Sequence, residues 1–170
     1  MNIVETDRLT LRRLSISDAP FILKLLNSPS WLQFIGDRNV RTLDDARKYI
    51  LDGPMTSYEK FGFGLYLTKL KDANVPIGIC GLLKRDNLEV PDIGFALLPE
   101  YSGKGYAFEA ASAIMIYGKT VLGLNQIVAI TTEDNHASVN LLKKIGLTFQ
   151  KSTKFPDDNT EFMLFSSPVI

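Results

Sequence analysis

The chain has 170 residues, 45% hydrophobic and 22% charged, ordinary values for a globular domain that argue against disorder, collagen or coiled coil. Nineteen basic and nineteen acidic side chains cancel, so no bulk field draws the protein to nucleic acid or to an anionic membrane. A lone cysteine, Cys80, and a lone histidine, His136, leave no material for a disulfide framework, a multi-cysteine zinc site or an all-histidine site.

The opening MNIVETDRLTLRRL has no long apolar run, and no stretch reaches the ~18 apolar residues of a membrane span. A cytoplasmic protein with one domain over residues 1–170 is expected, its oligomeric state invisible. Residues 6–13 alternate loosely around Leu9 and Leu11 and read as an edge strand. Ser17 offers a cap for a helix with the stripe Phe21, Ile22, Leu25 and Leu26, stopped by Ser28-Pro29. An irregular stretch around Trp31 follows. Thr42 and Asp45 resemble a capping box for a second helix that buries Ala46, Tyr49 and Ile50 and stops at Gly53-Pro54. Residues 61–70 and 76–83 read as a hairpin turning at 71–74, and residues 92–98 add a third strand to the meander. A buried helix over 107–117, a strand over 126–132 and a helix over 135–145 ending at Gly146 come next. Strands over 147–151 and 160–165 close the chain. Strand–helix–strand crossovers at the centre require at least one parallel pairing. The fold class is therefore mixed α/β, with one mostly antiparallel sheet flanked by helices.

The segment DIGFALLPEYSGKGYAFEA carries the chemistry. A strand runs into Pro99, then a loop holding Gly103, Lys104 and Gly105, then a helix without a gap. Glycines let backbone N–H groups converge on an oxyanion, and the helix behind adds open donors and the positive end of its dipole. This is a phosphate or pyrophosphate cradle, set against a plain strand–turn–helix connection. A nucleotide P-loop would need a hydroxyl residue after Lys104, where Gly105 stands, and a dinucleotide fingerprint would need glycine at Phe108.

Together with TTEDNHASVNLLKKIGL, this segment resembles the GNAT superfamily of acetyl-CoA-dependent N-acetyltransferases. The family signature, Gln/Arg-x-x-Gly-x-Gly/Ala, falls on residues 102–107, with Ser102 in the first place and Gly105 and Ala107 in the last two. GKGYAFEA and the early TDRLTLRRL are similar to the ribosomal-protein-alanine acetyltransferase branch.

The resemblance implies acetyl-CoA as co-substrate, a primary amine as acceptor and no metal. The backbone of Phe95, Ala96, Leu97 and Leu98 would pair with the pantetheine arm, and Gly103, Lys104, Gly105, Tyr106 and Ala107 would hold the pyrophosphate. Asn135 would bind the cofactor's amide, although helix capping also explains it. Leu142 stands where many members carry the tyrosine that protonates the thiolate, which leaves Ser138 as the nearest donor. Asp92 and Glu89, at the start of the cofactor strand, are candidate proton acceptors or simply a solvated strand end. His136 at an exposed first turn reads as solvated. Trp31, Phe34 and Tyr49 lie in the segment that covers the substrate in this family, or are core. The favoured acceptor is an N-terminal α-amine. The alternatives are a small-molecule amine (polyamine, amino acid or aminoglycoside) as acceptor, or a catalytically idle acyl-CoA-binding or protein-interaction domain.

Overall fold

A computed structural model of the protein describes residues 1–156 and 158–169. One sheet of 8 strands runs in the order β1-β2-β3-β4-β5-β6-β8-β7. Its strands are β1 (Asn2–Glu5), β2 (Leu9–Arg13), β3 (Leu65–Leu70), β4 (Val75–Leu83), β5 (Asp92–Leu97), β6 (Val128–Thr131), β7 (Thr148–Thr153) and β8 (Phe162–Ser166). Every neighbouring pair is antiparallel except β5–β6, the parallel pairing that the central crossover requires.

Alternation along the strands splits the core between the two faces of the sheet. Tyr66, Ile77, Cys80 and Leu82 pack with Ala110, Ala111 and Ile114 of the long helix α5 (Tyr106–Thr120). Leu65, Leu67 and Ile79 pack on the other face with α1 (Ala19–Leu26), α2 (Pro29–Phe34) and α3 (Leu43–Ile50), through Ile22, Leu25, Trp31, Ala46 and Ile50. A helix α6 (His136–Lys144) precedes β7 and ends at Gly146, whose φ of +97° is the left-handed stop expected there.

Several boundaries differ from the sequence reading, each for a physical reason. β2 is not an edge strand, because β1 pairs along its outer side. The first helix is entered from Ser15, not Ser17: the Ser15 amide donates to Asp18 at 2.9 Å, and Asp18 also receives both terminal nitrogens of Arg12 at 2.9 Å. Trp31 is helical, since Pro29 pre-sets φ at the first position of α2. Gly53-Pro54 does not stop α3. A wide turn over Leu51–Met55 skips the missing proline donor and leads into a further helix, α4 (Thr56–Phe61), which ends at Gly62 with φ +80°. That helix takes residue 61 out of the expected hairpin, so β3 starts at Leu65. The capping box holds: Asp45 N–H donates to the Thr42 hydroxyl and Thr42 N–H to the Asp45 carboxylate, each at 3.1 Å.

β4 and β5 approach closely because Gly78 faces Leu97 without a side chain. A methyl there would lie 2.1 Å from the Ala96 carbonyl oxygen. Gly78→Ala is expected to cost ~1–3 kcal/mol as overpacking, read as a lowered thermal midpoint. Gly53→Ala, where an added methyl meets nothing within 4 Å, serves as the control and leaves the midpoint near wild type. An unchanged midpoint for Gly78→Ala would contradict the close approach.

Candidate active site

β5 and β6 register at one position, Asp92 with Val128, and then diverge. β5 stays bonded to β4 along its whole length, from Leu83↔Asp92 to Gly78↔Leu97, with Leu98 N–H continuing to the Ile77 carbonyl at 2.9 Å. In such a ladder alternate residues turn their main-chain groups to opposite edges. Leu98, Ala96, Gly94 and Asp92 therefore face β4, while Phe95 and Leu97 turn N–H and C=O to the edge that β6 has left. This divides the four strand residues singled out by sequence. Phe95 and Leu97 offer open main-chain groups, whereas those of Ala96 and Leu98 are engaged, and the Leu98 side chain is core.

The gap between the two strands is part of a cavity of about 1020 Å³. Phe95, Ala96, Leu97, Gly103, Gly105, Tyr106, Ala107, Asn135, Ser138 and Asp92 all line it. Leu98 and Lys104 do not. The Lys104 ammonium instead lies over the Tyr101 ring, 5.9 Å from its centroid. Glu89 is exposed and off the cavity, and His136 is an exposed residue on a separate shallow depression. Trp31, Phe34 and Tyr49 are on the cavity wall, Trp31 also being core at 4% exposure.

At the end of β5, Gly103 (φ +74°) and Gly105 (φ +83°) bend the loop into α5. Gly105 is the N-cap and has no side chain to satisfy the helix, so the amides of Tyr106, Ala107 and Phe108 stay open towards the cavity, and the first internal bond runs from Glu109 N–H to the Gly105 carbonyl at 3.0 Å. A residue that sequence reasoning missed braces this loop. Arg8 donates Nε to Glu109 at 2.7 Å and Nη1 to the Lys104 carbonyl at 3.0 Å, and its guanidinium lies 4.4 Å from the Tyr106 ring centroid. The Arg8 amide and the Thr6 hydroxyl also bond Glu109, so one carboxylate collects the start of the chain.

Asp92, at the root of the divergence, is not a solvated strand end. It is 1% exposed, and Arg85 Nε donates to both carboxylate oxygens at 3.1 and 3.2 Å. Burial raises its pKa to about 6, against the pull of Arg85 and Lys84. Arg85, which no sequence signal marked, also lines the cavity. On α6, the Asn135 side chain accepts the Ser138 amide at 3.3 Å, the capping role expected of it. The Ser138 hydroxyl has no protein partner among the described residues. Leu142, standing in the tyrosine position, is 1% exposed beside it. Among the described residues no group of three or more His, Cys, Asp or Glu could hold a metal, and no helix is long and apolar enough to cross a membrane.

An open strand edge leading to an uncapped helix N-terminus defines a site for an extended ligand with amide groups at one end and phosphates at the other. That is the shape and chemistry of an acyl-CoA. The family model described as an acetyltransferase (GNAT) domain matches residues 8–148, and the chain belongs to the GNAT N-acetyltransferases. It is 32% identical over 151 residues to an uncharacterized N-acetyltransferase, YoaA, of Bacillus subtilis, covering 88% of this chain and 83% of that one. Its fold is similar to that of RimL, a ribosomal L7/L12 α-N-protein acetyltransferase solved with coenzyme A, at TM-score 0.82 and 19% identity over 99% of this chain and 98% of that one. A ribosomal-protein-S5-alanine acetyltransferase of Vibrio fischeri gives TM-score 0.80 at 18% identity, over 98% and 96% of the two chains. Members of this family use acetyl-CoA, and the residues here suit it: glycine at the two left-handed positions, open amides behind them and a free strand edge.

Saturating acetyl-CoA at ~100 times its dissociation constant is expected to stabilise the wild type by ~2.7 kcal/mol, with or without a chelator. Gly105→Val puts a branched side chain at φ +83°, with the Arg8 guanidinium already 3.2 Å from an ideal Cβ, so this thermal shift should shrink towards zero. A full shift in the variant, or one abolished by the chelator, would contradict the assignment of the loop.

Proposed function

We propose that residues 1–170 act as one domain that transfers the acetyl group of acetyl-CoA directly to a primary amine, by preference the N-terminal α-amine of a protein or peptide. The observation that carries this reading is the presence of Asp92, Ser138 and the open edge of β5 on one cavity. The co-substrate supplies an acetyl thioester. The amides of Phe95 and Leu97 hold its pantetheine arm, and those of Gly103, Gly105, Tyr106 and Ala107 its pyrophosphate. Open-edge N–H groups stabilise negative charge on the thioester oxygen as the amine nitrogen attacks. Asp92, through water, takes the proton that the amine loses. The Ser138 hydroxyl donates to the sulfur as the carbon–sulfur bond breaks, and its proton is restored from water.

The acceptor preference follows from proton chemistry. Only a neutral amine attacks. A lysine with pKa near 10.4 is about one part per thousand neutral at pH 7.5, an α-amine with pKa 7.7–8.0 roughly a quarter to two-fifths. A single carboxylate whose pKa lies at about 6 is a weak base, suited to the amine that needs less help. The test offers one peptide with a free α-amine and blocked lysine and its counterpart with the blocking reversed. The first should be acetylated faster. Faster reaction of the lysine peptide overturns the preference, and reaction of neither moves the choice to small-molecule amines.

Ser138→Ala should lower turnover by ~10²-fold or more while acetyl-CoA affinity stays nearly unchanged. Equal turnover removes the assignment.

Asp92 predicts two pH effects. Its ionised form is the base, so kcat/KM should rise through about pH 6 in the wild type and lose that limb in Asp92→Asn. Because the folded-state pKa is raised, the native protein holds this proton more tightly than the unfolded chain, and the unfolding free energy falls as pH rises from about 4 to about 6. Asp92→Asn flattens that slope. An unaltered pH–rate profile in the variant would rule Asp92 out as the base.

A further inference from the structure

The cavity wall around Asp92 is unbalanced in its hydrogen-bonding groups. Arg85 is fixed to Asp92 through Nε alone, and its two terminal nitrogens have no partner among the described residues. Arg38 lines the same cavity without an ion pair or hydrogen bond among the described residues. Tyr49 lines it too, and its hydroxyl is likewise without a partner among the described residues. Burial pushes the Tyr49 pKa up, and the Arg38 and Arg85 charges pull it back. A fourth donor, Trp31 Nε1, is buried without a partner on the same cavity. The lining carboxylates do not answer these donors. Asp92 is taken by Arg85, and exposed Asp158 accepts the Thr160 amide at 2.8 Å.

We infer that the acceptor amine also carries a carboxylate, received by Arg38 and the free edge of Arg85 with Tyr49 and Trp31 as further donors. The inference rests on the amine-acceptor reading above and adds the class of acceptor. A guanidinium presents a planar fork that matches a carboxylate in two bonds, and a buried indole N–H gains most from an anionic acceptor. The same two cations act on the choice of acceptor. Without a carboxylate on the acceptor to offset Arg38, they repel a polycation such as a polyamine. One carboxylate chemistry has two sources: the acidic side chain of a peptide next to its free α-amine, or the α-carboxylate of a free amino acid.

The experiment uses two matched pairs of acceptors with acetyl-CoA, on wild type and Arg38→Gln. One pair is a C-terminally amidated peptide with a free α-amine and Glu or Gln in the second and third places. The other is a neutral amino acid and its amide. In at least one pair the carboxylate-bearing member should show ~10-fold or higher kcat/KM, and Arg38→Gln should abolish the difference. Arg38 is exposed, so the variant should fold as the wild type does. A preference within the first pair assigns an acidic protein or peptide terminus, and one within the second a free amino acid. Trp31 is the chain's single tryptophan and gives a readout that needs no turnover: the preferred acceptor should alter its emission in the wild type and not in Arg38→Gln. Equal rates within both pairs, or faster acetylation of spermidine than of either acid, overturn the inference and leave the N-acetyltransferase reading standing. If no amine is acetylated, the α-amine reading falls, and emission decides the anion site: an Arg38-dependent change sustains it, and no change overturns it.

Discussion

The candidate active-site cleft depends on one unfinished strand pairing. β5 and β6 meet at Asp92 and Val128 and go no further, although β5 continues to Leu97 and remains bonded to β4 on its other side. An unsatisfied backbone group taken out of water costs about 1–3 kcal/mol, so proteins seldom leave a strand edge open within a sheet. Here the edge opens onto a cavity, and the groups withheld from the sheet are left free for a ligand. The close approach of β4 at Gly78 keeps β5 from drifting, which fixes the open groups of Phe95 and Leu97 relative to the rest of the fold.

The two ends of β5 carry the glycine loop and the buried Asp92 carboxylate. At its end the chain turns through Gly103 and Gly105 into α5, and a brace from Thr6 and Arg8 to Glu109 holds that turn from the first strand pair. Exposed ion pairs of this kind add little stability, and Arg8 is 45% exposed. Its consequence is positional: the loop carbonyl of Lys104 is tied to Arg8. At the start of β5, Asp92 is 1% exposed, and this burial moves its pKa towards the range where a carboxylate exchanges protons near neutrality. Arg85 keeps that buried carboxylate partnered.

Local pattern made much of this legible. The meander, the glycine loop, the long helix behind it and the Asn135 cap are written in consecutive residues, and the order of the motifs was enough to indicate the family. What sequence could not show depends on partners distant in the chain. Arg8 and Glu109 are 101 residues apart, and nothing near either announces the other. Asp92 reads as a strand end until the sheet closes over it. Lys104 is charged and sits inside the motif, yet its side chain turns to Tyr101. Leu98 continues the strand in sequence but belongs to the core under α1 and α3. The helix α4 was hidden because Gly53-Pro54 usually ends a helix, and only the wide turn Leu51–Met55 lets this one continue.

Residue-resolved amide hydrogen exchange, with and without saturating acetyl-CoA, tests the open edge most directly. Gly94 and Ala96, whose amides face β4, should exchange slowly in both states. Phe95 and Leu97, together with the first amides of α5 at Tyr106, Ala107 and Phe108, should exchange fast in the free protein and become protected in the complex. Unchanged fast exchange at Phe95 and Leu97 under saturating ligand would contradict the account, because the strand edge left by β6 would then not be where the ligand binds.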